Sequence, residues 1–201
     1  MNKFLVIVDM QNDFIDGALG TPEAQAIVPN VVEKIKETGL DTLMIFTKDT
    51  HYENYLSTQE GQKLPVGHCI YRPGMTNEGW ELNKEIETIW RNKVDKLVIN
   101  GAATGLFEKD NNTICKSTFG SINLPRGIQS FFEENNDTDE IEIELVGLCT
   151  DICVISNAMI LKAFFPEAKI SVDATCCAGV TPESHENALK AMEMCQIEIK
   201  R

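Results

Sequence analysis

No stretch of this sequence is apolar for long enough to cross a bilayer. The longest such run, residues 152–165, is broken by Ser156, Asn157 and Lys162 and falls short of the ~20 residues a spanning helix needs. Nor does the beginning read as a secretory signal, because Met1 to Val8 passes directly into Asp9 and Asp13 without a long apolar core or a small-residue cleavage site. A cytoplasmic location is the expectation. Basic residues are scarce, with 18 Lys plus Arg against 31 Asp plus Glu and a formal net charge of -13. Such a surface repels phosphate, which argues against nucleic acid or an anionic membrane as partner and favours a small molecule. The seven cysteines form an odd count without a CxxC pair, so neither a disulfide framework nor a zinc ribbon is expected. Phosphate loops are missing as well. Gly101-Ala-Ala-Thr-Gly105 fits neither GxGxxG nor the P-loop, and no Gly-Lys-Ser or Gly-Lys-Thr occurs, which weakens the case for a non-catalytic nucleotide-binding module.

What is present is ordinary globular composition. The 201 residues are 43% hydrophobic and 24% charged, enough for one domain spanning residues 1–201 around one substantial core. Short apolar runs rich in β-branched residues occur at residues 4–8, 42–47, 97–100, 141–146 and 170–172, and each reads as a strand covered on both faces. Helical patterns lie between them, at residues 22–38, 80–92, 127–134, 151–165 and 182–195. The alternation predicts a parallel α/β sheet, with residues 196–200 as a further strand. Thr21-Pro22-Glu23 and Thr181-Pro182-Glu183 are repeated helix starts: threonine caps, proline suits the first turn, and glutamate favours the positive end of the helix dipole. Residues 133–144 hold seven acids and no base and read as a solvated loop entering an edge strand. Residues 102–113 read as a polar connection able to act as a flap.

In an open parallel sheet, ligands bind beyond the carboxyl ends of the strands. Asp9, Asp49 and Cys153 all fall there. Asp9 opens Asp9-Met-Gln-Asn-Asp13-Phe14, where a turn that bonds its own backbone is an equally good reading. Cys153 follows Val146-Gly147-Leu148-Cys149-Thr150-Asp151-Ile152. With Thr150 as N-cap it stands at the third helical position, where free N–H groups and the dipole depress a thiol pKa and could receive an oxyanion. A cysteine packed beneath the sheet is the rival reading. The helix that follows is apolar on nearly every side and belongs in the core or at a subunit interface. Asp49 and His51 share a face of an extended chain. His68 is a second of only three histidines, and one carboxylate with two imidazoles suits zinc, iron or manganese. Surface histidines are the plainer alternative.

Taken in order, Asp9-Met-Gln-Asn-Asp-Phe14, Asp49-Thr-His51, His68-Cys69, a lysine after the third strand and Gly147-Leu-Cys-Thr-Asp-Ile-Cys153-Val resemble the isochorismatase-like cysteine hydrolases, and within them the nicotinamidases. The resemblance covers nearly the whole chain. It implies a Rossmann-like parallel sheet with helices on both faces and a triad of Asp9, Lys116 and Cys153, with Lys109 as the fallback lysine. It further implies a metal held by Asp49, His51 and His68, and by Glu60 nine residues after His51. Zinc is the first expectation, and iron and manganese are the alternatives. Backbone of Cys149 and Cys153 would form the oxyanion hole, and Phe14, with Trp80 as a second candidate, an aromatic wall of the substrate pocket. The implied reaction is release of ammonia from nicotinamide or a related small amide through a thioester. An N-carbamoyl or ureido compound is the alternative substrate. The chain departs from nicotinamidases at Leu64-Pro65-Val66-Gly67, where they often carry a tryptophan before the second histidine. Members of this superfamily commonly form homo-oligomers, so association of this chain is expected.

Overall fold

Residues 4–8 are apolar throughout, and residues 145–148 continue an apolar run after Glu142 and Glu144. A backbone of that kind is stable only where both faces are covered, which a parallel sheet under two helical layers provides. The computed structural model describes residues 2–99, 112–135 and 140–201. Strands β1 (Asn2–Val8), β2 (Thr42–Asp49), β3 (Thr113–Lys116), β4 (Ile141–Leu148), β5 (Lys169–Ala178) and β6 (Glu198–Lys200) are all parallel, in the order β3-β2-β1-β4-β5-β6. The helices are α1 (Asn12–Ile15), α2 (Pro22–Glu37), α3 (Gln59–Lys63), α4 (Lys84–Ile99), α5 (Asn123–Asn135), α6 (Ile155–Phe164) and α7 (Pro182–Met194).

Alternate residues of the central strands divide the core. Leu5 and Ile7 of β1 join Met44, Phe46 and Val146 under Val31 and Ile35 of α2 and Ile86 and Trp90 of α4. Phe4, Val6 and Val8 face the other way, toward Leu124 and Ile128 of α5, Ala158 and Leu161 of α6 and Leu189 and Met192 of α7. Helices therefore cover both faces, and the period-2 alternation of each strand decides which layer it feeds. Both threonine starts form as expected. Thr21 accepts from the Ala24 N–H, and Thr181 makes a reciprocal capping box with Ser184.

Four expectations need correction. Residues 97–99 close α4 instead of forming a strand, and residue 100 lies outside the described residues; the third strand is Thr113–Lys116. A short apolar run fits a buried helix end as well as a strand, so periodicity alone could not separate them. The acidic residues 133–144 lead not to an edge but to β4, which pairs with both β1 and β5. Glu144 is tolerated there because Lys34 (3.2 Å) and Lys200 (3.1 Å) pair with it. Thr150 does not cap: the turn Thr150–Val154 has Cys149 at its N-cap, and the Thr150 hydroxyl instead bonds His185 Nδ1 at 2.8 Å. The 80–92 pattern begins later and runs longer, as α4. Lys109, the 101–105 glycines and most of the proposed flap lie outside the described residues. No helix among the described residues is long and apolar enough to cross a membrane.

After β1 the chain builds outward through β2 and β3, then crosses to β4 on the other side of β1. The crevice at the carboxyl ends of β1 and β4 is thus the topological switch point of the sheet. Gly147 lets the two strands approach there. Its φ is +119°, and a Cβ would stand 2.1 Å from the Val8 carbonyl oxygen, so only glycine fits.

At the opposite end Lys34 bridges Glu144 and Asp173, the latter at 2.6 Å. Burial alone would raise the Asp173 pKa, but Lys34 and Thr175 outweigh it and hold the carboxyl below its usual range. A folded pKa below the unfolded one contributes stability above about pH 4 that is lost as pH falls through the depressed value. Asp173→Asn is expected to lower unfolding free energy by up to about 1 kcal/mol at neutral pH. In urea titrations the difference from wild type should vanish in strong acid; a pH-independent difference would show that the ion pair is not its source.

Candidate active site

Three strand ends supply the central groups. Asp9 follows β1 with φ +48°, a left-handed turn that aspartate tolerates better than most residues. Lys116 ends β3, opposite Asp49 of β2 in the register, and Cys153 lies on the turn after β4. The Lys116 ammonium stands 2.6 Å from Asp9 Oδ2 and 3.6 Å from Cys153 Sγ. All three are buried, Asp9 completely. Cys153 is buried, and its sulfur touches the ion pair.

Burial pushes the Cys153 thiol well above its ordinary pKa, and the Asp9 charge adds to this against the opposing pull of Lys116. The expected depression by a helix start is therefore overturned, because desolvation in a closed crevice exceeds what a short turn offers. Burial also raises Asp9, with Lys116 acting in the opposite direction. For Lys116, burial disfavours the charged form, yet Asp9, Cys153 and Asp49 together carry its pKa upward. The arrangement sets an amine, a carboxyl group and a thiol within reach of one another, the groups that proton transfer to and from a thiol needs.

Gln11 and Thr47 set this geometry, and neither was singled out as a site residue from sequence. Thr47 of β2 donates to Asp9 Oδ1 at 2.7 Å. The Gln11 amide donates to the Asp49 and Trp80 carbonyls, both at 2.9 Å, and its oxygen accepts from the Asp49 N–H at 2.6 Å. Gln11 lies within the Asp9–Phe14 motif, which is the one signal that pointed toward it. Asn157 of α6 accepts from the Ser121 N–H at 2.9 Å and donates to the Cys153 carbonyl at 2.8 Å, tying the segment after β3 to the turn that carries Cys153.

Asp49, His51, Glu60 and His68 form a second cluster beside the first, each offering an atom within 4.8 Å of the others. His51 Nε2 lies 3.0 Å from Asp49 Oδ2 and 3.5 Å from Glu60 Oε1, but this buried nitrogen has no aligned hydrogen bond. His68 Nδ1 is 2.8 Å from the Val66 carbonyl. A carbonyl only accepts, so Nδ1 carries a proton; Nε2 faces the carboxylates, and Asp49 and the Val66 carbonyl outweigh burial and raise the His68 pKa. Burial would raise the Asp49 pKa, but the two imidazoles and Lys116 bring it below its ordinary range. Two imidazole nitrogens and two carboxylates converging on one point fit a divalent ion such as zinc.

Phe14, like Asp9, Lys116 and Cys153, is not among the residues that line the cavity of about 650 Å³ in front of the donor cluster. Its ring packs 5.5 Å from the His68 ring in the core layer under α2. Trp80 donates to the Thr50 hydroxyl at 2.9 Å and carries Lys48 over its ring; it too lies outside that cavity. The backbone of Cys149 and Cys153 belongs to the turn that presents the sulfur.

Residues 3–106 and 110–199 match the isochorismatase domain. Over 198 residues the chain is 25% identical to the nicotinamidase of Saccharomyces cerevisiae, covering 90% of this chain and 91% of that protein. It is 27% identical to a "probable inactive nicotinamidase" of Arabidopsis thaliana, over 92% of this chain and 84% of that one. Among solved structures, the nicotinamidase of Bacillus subtilis superposes with a TM-score of 0.70 at 25% identity, across 100% of both chains. A pyrazinamidase of Pyrococcus horikoshii in complex with zinc gives 0.68 at 24% identity, over 100% of this chain and 99% of that one, a likeness of fold alone.

The donor cluster leads to a direct expectation. Protein stripped with chelator and then given zinc, manganese or iron(II) at about 100 times the dissociation constant should gain about 2.7 kcal/mol, or roughly 5–10 °C in Tm for a chain of this size. His51→Ala and His68→Ala should abolish the gain. A melting curve unmoved by all three ions would show that the four donors do not form a site.

Proposed function

Since this chain belongs to the isochorismatase domain family, we propose that it is a cysteine-dependent amidohydrolase that releases ammonia from a small primary amide, nicotinamide or a related compound. The observation that carries this reading is the contact of one buried ammonium with both Asp9 (2.6 Å) and Cys153 (3.6 Å) at the switch point. The names of the yeast and Bacillus relatives support the amide class. The Arabidopsis name marks a relative as inactive, so side chains rather than fold decide the chemistry.

In the proposed sequence Asp9 takes the Cys153 proton as the sulfur attacks the amide carbonyl, and Lys116 keeps the charged forms favourable throughout. The tetrahedral oxyanion is received by the N–H groups of Cys149 and Cys153. Its collapse breaks the C–N bond, and Asp9 returns the proton to the departing ammonia, leaving a thioester on Cys153. Asp9 then takes a proton from water, whose oxygen attacks the thioester carbonyl. The carboxylic acid leaves and the thiol is restored. Asp49, His51, Glu60 and His68 would hold a divalent metal, zinc first, which supplies a fixed Lewis-acid point for orienting the substrate. An N-carbamoyl or ureido substrate is the second reading, favoured by Leu64-Pro65-Val66-Gly67 in place of an aromatic residue ahead of His68.

Cys153→Ala should reduce ammonia release by about 10⁴-fold or more while the melting temperature stays near that of wild type. Retained turnover on an amide panel would overturn the nucleophile assignment. The acid limb of kcat/KM should sit above the usual carboxylate range, because a buried Asp9 that is raised in pKa stays protonated, and unable to accept, to higher pH. A limb near pH 4 would instead place the base in a solvated carboxylate.

A further inference from the structure

The cavity in front of the donor cluster holds about 650 Å³, mid-range for sites that enclose drug-sized ligands, and a single-ring amide fills only a fraction of such a space. Its walls are of two kinds. His51 and Glu60 mark the inner, donor end, whereas Tyr52, Leu64, Phe119 and Ile152 form an apolar side. Tyr52 is 54% exposed, Leu64 37% and Phe119 49%. Large apolar side chains scattered over a surface need no explanation, but three converging on one concavity mark a surface that an apolar ligand would cover.

These walls are fixed to the reacting groups. The Asn157 amide donates to both the Cys153 carbonyl (2.8 Å) and the Phe119 carbonyl (3.4 Å). Leu64 is held by the Tyr55 hydroxyl, which donates to its carbonyl at 3.0 Å, and by its own N–H, which donates to the Glu60 carbonyl at 2.8 Å. Tyr55 in turn packs 4.6 Å from the His51 ring. Phe119 is thereby tied to the turn that carries the sulfur, and Leu64 to the donor cluster, which is the rigid support a specificity pocket requires. Among the described residues, Lys63 and Glu60 are the Lys, Arg, Asp or Glu side chains on the lining. On a chain of net charge -13, that leaves little to attract an anionic substrate.

Resting on the amidohydrolase reading, we propose that the substrate is a neutral primary amide whose acyl part continues beyond a single ring as an aryl-alkyl body lying along Phe119, Leu64 and Tyr52. Phe119 and Leu64 are then specificity-determining residues: they act on the remote part of the substrate and not on the scissile bond. Water still adds to the acyl carbon and ammonia still leaves, so the products are the longer carboxylic acid and ammonia.

Ammonia release by the metal-loaded protein from nicotinamide, 3-phenylpropanamide and 5-phenylpentanamide tests this. Expected is a kcat/KM that rises about tenfold or more from nicotinamide to 5-phenylpentanamide, since each added buried methylene favours binding severalfold. Leu64→Trp, which fills the cavity, should invert the order, with the loss on the long amide appearing in KM. Phe119→Ala should shrink the wild-type preference to within about threefold, and this truncation reads the same ratio should the tryptophan variant fail to fold. Preference for nicotinamide in wild type, or a ratio indifferent to both substitutions, would overturn the proposal while leaving the amidohydrolase reading standing. Absence of ammonia from every amide, together with no acyl adduct on Cys153 by mass spectrometry, would instead overturn that reading and this inference with it.

Discussion

A lysine ammonium held out of water needs its counter-charge within contact distance, and that requirement organises the carboxyl end of this sheet. The Lys116 side chain is 2% exposed and that of Asp9 is fully enclosed. Removing either partner would leave an uncompensated buried charge, a loss of about 3–5 kcal/mol. The pair closes only if β1 and β3 end at the same level, with β2 between them. The register that sets Asp49 opposite Lys116, and Val8 opposite Thr47, achieves this. Thr47 then fixes the second oxygen of Asp9, and the turn after β4 brings sulfur to the same ammonium. Burial holds the Cys153 thiol above its ordinary pKa beside that pair.

Asp49 couples this centre to the donor cluster. One of its oxygens lies 3.8 Å from Lys116, and the other lies 3.0 Å from His51 and 3.4 Å from His68. The two groups of polar residues share a carboxylate but differ in task. One sets an ammonium between a carboxylate and a thiol, and the other offers fixed donors at the mouth of a cavity. Gln11, locked to the backbone of Asp49 from both sides, keeps the junction rigid, which is the role outer-shell groups take around reactive centres.

The fold is shared with relatives of differing names, one of them named as inactive, so architecture alone does not carry the activity. Within this frame the cavity is lined in part by Leu64 and by Phe119, whose carbonyl is anchored through Asn157. Polar groups fixed at strand ends, with a cavity lined by the connecting segments, form a division that parallel α/β sheets use widely.

Much of this was legible in the chain. Residues 4–8 and 141–146 declare buried strands because no polar residue on either face interrupts the first and the second needs only Glu142 and Glu144 satisfied at its margin. Thr21-Pro22 and Thr181-Pro182 declare helix starts because capping is local chemistry. Asp9, Asp49, His51, His68 and Cys153 stood out by residue type and by position after apolar runs. Residues 97–99 misled, because three apolar residues carry no period and α4 absorbed them. Thr150 misled as well, since a hydroxyl free to cap was taken by His185 from α7, a contact between residues 35 positions apart. Only the tertiary structure decided that Lys116, Asp9 and Cys153 meet, that Glu60 joins the histidines, that Phe14 turns to the core, and that burial raises the sulfur's pKa. Sequence fixes what each residue is able to do; distance and desolvation, which arise only when remote segments pack, fix what it does.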